Sequence, residues 1–182
     1  MTLSINRTRS VTLRTAALAW MLLAAVAHAD GARKLTLSVY QDTLGAKSVL
    51  DGKYDDAIKQ LGSRMNFLRD EIAATTNLCV AQIMTRQWTS AQATCDKAVR
   101  QARFDTGDRS IGGRSDNRSE LALAYSNRAV LHWLQNKPED AASDVGRAHA
   151  LAPHTDFVSQ NWTVLNSKPE STVGPAIAAI HN

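Results

Sequence analysis

The sequence predicts an all-α fold of helix-turn-helix units repeated along the chain, and three observations carry that prediction. Apolar residues recur at three- and four-residue steps, as in Ile58, Leu61, Met65 and Leu68, the spacing that lines one face of a helix. Alanines mark one place in successive units: Ala57 and Ala91 lie 34 residues apart, and Ala91 and Ala141 lie 50 apart, one period with 16 residues inserted. Helix starts are also legible. Pro138 suits a first helical turn, and Glu139 and Asp140 follow it where the positive end of the helix dipole favours carboxylates. The pattern is clearest over 121–153, two amphipathic helices joined by a polar turn at 135–138 and stopped by Pro153. The aligned units are about 38–71, 72–105 and 122–155.

A fixed period of this length is the signature of a repeat architecture. The first unit carries Leu44, Gly45, Gly52, Tyr54, Ala57 and Ile58 at the marked positions. The second carries Leu78, Cys79, Trp88, Ala91 and Ala98, and the third Tyr125, Ala129, Ala141, Ala148 and Pro153. On these residues the chain resembles the tetratricopeptide repeat (TPR) family over roughly 38–155. It departs from the family pattern at Arg128, where leucine is usual, and at Arg69 and Arg103, where a closing proline would stand. The resemblance implies an alpha-alpha superhelix of three TPR-like repeats plus a C-terminal capping helix. It also implies a concave groove, lined by the first helix of each unit, that takes a polypeptide.

The first residues read as a signal peptide over 1–29. Arg7, Arg9 and Arg14 precede the apolar run of 16–27, and small residues flank a cut after Ala29. The run is short of the roughly 20 residues that span a bilayer, so no membrane insertion is expected after cleavage. The expected location is the periplasm or the exterior. Removing those three arginines from the 21 Lys and Arg leaves 18 against 17 Asp and Glu, a net charge of +1. The apparent basicity is therefore targeting chemistry, and without a clustered basic face no nucleic-acid partner is expected.

Next comes an N-terminal arm, 30–41, where Leu35, Leu37 and Val39 alternate with polar residues in a strand-like pattern. It reads as an extended arm or as the lead-in to the first helix. The repeat domain follows over 42–166. Asp42 is expected to cap a short helix through Leu50, Asp51 and Gly52 to turn, and the next helix to run from Tyr54 to about residue 70. In the repeat's register Cys79 and Cys95 fall on facing sides of paired helices, which in an exported chain suggests a disulfide, the alternative being two buried free thiols that serve as small core residues. Closing that loop of about 17 residues would stabilise by ~3 kcal/mol. The insertion is rich in glycine and charge and poor in apolar residues, so a flexible loop is expected over 106–116, with the flanking helices lengthened into its ends. Val158, Trp162 and Leu165 predict a helix that covers the last repeat. The segment 167–182 reads as a flexible tail, or one that docks.

Catalytic chemistry is sparse. His132, His149, His154 and His181 have no metal-ligand spacing, the cysteines are not in a C-x-x-C turn, and no serine sits in a G-x-S-x-G elbow. Gly112, Gly113, Arg114 and Ser115 lack the G-K-[ST] ending and the preceding strand of a phosphate loop. No cofactor, no metal and no enzymatic activity are expected. The resemblance instead implies a groove lined by Asn77, Val80, Ile83 and Met84 from the second unit, with Asn127, Val130, Trp133 and Leu134 from the third. Asn77 and Asn127 occupy equivalent places, and two amides in an apolar groove suit an extended or a helical segment. Val80 and Val130 are equally well read as core between repeats. The expected function is a non-catalytic scaffold or adaptor for a protein or peptide segment. The alternatives are an accessory subunit of an envelope enzyme or assembly complex, or a self-associating structural protein.

Overall fold

Helices dominate the computed structural model, which describes residues 34–64, 71–107, 114–167 and 176–181. The signal-like segment, the predicted core residues Met65 and Leu68, and residues 108–113 of the predicted loop lie outside the described residues. In chain order the elements are strand β1 (Lys34–Ser38), helices α1 (Ala46–Leu50), α2 (Tyr54–Arg64), α3 (Glu71–Met84), α4 (Trp88–Gly107), α5 (Arg114–Leu134), α6 (Pro138–Leu151) and α7 (Asp156–Asn166), and strand β2 (Ala176–His181).

Each pair α1–α2, α3–α4 and α5–α6 is joined by the same turn. Gly52, Arg86 and Asn136 hold its left-handed position, with φ of 74°, 58° and 59°. Their N–H groups donate to the carbonyls of Val49, Ile83 and Trp133, and the following N–H groups of Lys53, Gln87 and Lys137 donate to Ser48, Gln82 and His132. This double bond pattern is a Schellman cap, which satisfies carbonyls that a helix end leaves open. Ala57, Ala91 and Ala141 follow in equivalent places. Each is fully buried, and each donates its N–H to the residue just after the left-handed one, at 3.1, 2.8 and 3.1 Å. A side chain larger than alanine there would force the paired helices apart.

Packing proceeds from pair to pair: α3 on α4, α4 on α5, α5 on α6, α6 on α7. Cys79 and Cys95 form a disulfide between α3 and α4, with Cα atoms 5.1 Å apart. Arg128, the residue out of pattern in the sequence, ties three helices together. Its Nε and Nη2 donate to the Asp144 carboxylate at 2.7 and 2.9 Å, and its Nη1 to Asp96 at 2.8 Å. A leucine would pack there but would leave the buried Asp144 carboxylate without its guanidinium.

Three expectations are corrected. Asp42 does not cap α1, which starts at Ala46 after Gly45 at φ 81°. The chain leaving the arm needs a turn first, and a Cβ at Gly45 would sit 2.7 Å from the Leu61 side chain. The loop expected over 106–116 is narrower, because α4 continues to Gly107 and α5 already begins at Arg114. The segment expected as a flexible tail contains β2. The described residues are mostly helical, as the all-α expectation has it, and β1 and β2 add one small parallel sheet, Lys34 with Ala176 through Ser38 with His181, with a register slip between Leu35 and Thr36.

Candidate functional site

The chain's own arm lies where an open groove was expected. Leu35, Leu37 and Val39 are buried in one apolar cluster with Val80, Ile83, Val130 and Leu131. Met84, Trp133 and Leu134 are half-buried and packed against the same cluster, as are Val164 and Leu165 of α7. All eight residues of the expected lining therefore converge on one place, and that place holds residues 34–40. Burial of this kind stabilises by roughly 2 kcal/mol for each large aliphatic side chain, so the arm is part of the core.

Polar contacts set the arm's conformation. One asparagine on each of α3, α5 and α7 faces it, and each grips a single residue of the arm through both of that residue's backbone groups. Asn77 Oδ1 accepts the Tyr40 N–H at 2.8 Å and its Nδ2 donates to the Tyr40 carbonyl at 2.9 Å. Asn127 does the same with Ser38 at 2.9 and 2.8 Å, and Asn161 with Thr36 at 2.8 Å for both bonds. Gln160 Nε2 extends the series by donating to the Lys34 carbonyl at 2.9 Å. The backbone groups of residue i and residue i+2 leave a strand on the same side. Three amides in a row therefore match residues 36, 38 and 40 only if the arm is extended.

A primary amide is the group this task requires, since it offers an acceptor and two donors at one tip. The remaining Nδ2 hydrogens of Asn77 and Asn161 donate to Thr43 Oγ1 at 2.8 Å and Ser126 Oγ at 2.9 Å. All three asparagines are completely buried. Burying them is tolerable because their polar atoms are paired. The sequence reading found Asn77 and Asn127 but not Asn161. The signal was present: Asn161 stands 34 residues after Asn127, one period on, so α7 carries the first-helix asparagine of a further unit.

A second polar cluster lies between α5 and α6. His132 Nε2 is 3.5 Å from the Asp144 carboxylate that Arg128 holds. Burial pushes the His132 imidazole below its usual pKa, and the Arg128 charge adds to this, although Asp144 pulls the other way. A neutral histidine in the core follows. Among the described residues no group of three or more His, Cys, Asp or Glu is placed to hold a metal ion. None of their helices is long and apolar enough to cross a membrane. The disulfide consumes both cysteines. Comparison of the chain with protein-family models, with curated proteins and with solved structures returns no match.

Proposed function

We propose that the chain is an exported, non-catalytic scaffold of tetratricopeptide-like design that binds a protein partner through an extended segment of that partner. The observation that carries the reading is the asparagine ladder. It fixes an extended backbone by bonds that do not depend on side-chain identity, which is how polypeptide segments are recognised in strand form. The arm is then a built-in bound segment, and the partner's segment is read beside it. The 34-residue spacing of Asn127 and Asn161, the three equivalent turns and the three equivalent alanines support the repeat assignment. The disulfide and the signal-like start support export.

A photo-crosslinker placed by Trp133→p-benzoylphenylalanine, on the rim of the arm cluster, tests this in the native envelope. A specific adduct with another protein is expected from position 133 and none from the same group at exposed Lys59 on α2. Asn127→Ala should reduce the adduct at least fivefold. Adducts of equal yield from both positions, or none, would sink the reading.

A further inference from the structure

We propose that the outer edge of β1 is a strand-addition site for an extended partner segment running parallel to the arm, and that β2 is its resident, displaceable occupant. The proposal rests on the scaffold reading above and says where the partner lies. Backbone polar groups alternate sides along a strand. Those of residues 36, 38 and 40 are taken by the ladder, and the Lys34 carbonyl by Gln160. The groups of Leu35 and Leu37 therefore face the opposite edge, where β2 pairs.

The two edges are held unequally. The asparagine bonds come from buried side chains anchored on packed helices. The outer edge meets one strand of a two-stranded parallel sheet, a pairing of marginal stability by itself. Its register is also imperfect. Leu35 faces Ile177 and Thr36 faces Ala179, so Ala178 has no partner on β1. An incoming segment without the extra residue would keep the ladder bonds in step. The resident's sequence, Ala-Ile-Ala-Ala-Ile-His over 176–181, defines the competitor: an uncharged extended segment of small and aliphatic residues. Strand addition would supply affinity through the backbone, and alternate side chains would supply selectivity.

The test uses the full chain with Ala179→Pro. Ala179 faces Thr36, between Leu35 and Leu37, and proline there cannot donate to β1. The probe is a fluorescein-labelled peptide with the sequence of residues 174–182, followed by fluorescence anisotropy. The variant should keep wild-type circular dichroism and bind the probe at least tenfold more tightly than wild type does. Equal binding, no binding, or loss of the helical signal would each overturn the proposal. Dimerisation of the variant in place of probe binding would also overturn it, because the occupant would then be a second copy.

Hydrogen exchange on the wild-type protein separates this proposal from the function it rests on. The Leu35 and Leu37 amides should exchange at least a hundredfold faster than those of Thr36 and Ser38, because only the outer edge opens. Equal, strong protection of all four would overturn the strand-addition site and leave the ladder standing. Fast exchange of Thr36 and Ser38 would refute the ladder, and with it the scaffold reading.

Discussion

At the scale of single residues, the consequences come from buried amides and one buried imidazole. Asn127→Ala would remove the partner of both the Ser38 N–H and its carbonyl. Each stranded group costs about 1–3 kcal/mol, so a loss of about 3 kcal/mol is expected in urea unfolding, with the arm becoming sensitive to limited proteolysis. Arg86 holds a left-handed conformation that costs a non-glycine residue about 1 kcal/mol. Arg86→Gly should raise stability by up to that amount, and the same measurement checks it. His132 sets a pH dependence whose sign follows from its lowered pKa. The unfolded chain takes up the proton first, near the ordinary value of about 6.5. The contribution of neutral His132 is therefore complete above that pH and is lost as pH falls toward the folded value. His132→Gln should flatten the decline in melting temperature as pH falls below about 6.5.

At the scale of elements, the α3–α4 hairpin carries the disulfide. Reducing it should lower stability by ~3 kcal/mol on the loop-closure argument; denaturant unfolding with and without reductant measures this. Helix α7 does more than cover an apolar edge. It brings Phe157 and Val158 into one cluster with Leu121 and Ala148, and it presents Asn161 and Gln160 to the arm. A helix recruited only to shield a terminal repeat would not need the asparagine in the register of Asn77 and Asn127. The paired helices, their turns and the facing cysteines were legible in the sequence because each depends on neighbours within one 34-residue unit. The start of α1 was not, because Gly45 is dictated by Leu61 on α2, a contact that local pattern does not reveal.

At the scale of the whole molecule, the arm completes the core from one end of the sequence. Its bonds join residues 125 apart between Thr36 and Asn161, 89 apart between Ser38 and Asn127, and 37 apart between Tyr40 and Asn77. Removal of residues 30–39 should expose Val80, Ile83, Val130 and Leu131 together. The truncated chain should then bind a hydrophobic dye and melt well below the chain that keeps them; an unchanged melt would mean that the helical pairs are self-sufficient. These separations also slow folding, since loop closure must precede such contacts. The helical pairs are expected to form first and the arm to dock last.

The helical pairs, their turns and the place of the disulfide follow from the sequence alone, whereas the eight residues expected to line an open groove lie around the chain's own arm. Helical period, small-residue spacing and turn chemistry are written within a few turns of one another along the chain. That the arm occupies this place is visible only in the folded chain. The alternation of Leu35, Leu37 and Val39 marks a strand but not its partners. Those partners are amides carried on three different helices and a strand from the other end of the chain. Bonds to a backbone leave no pattern in the sequence of the segment they hold.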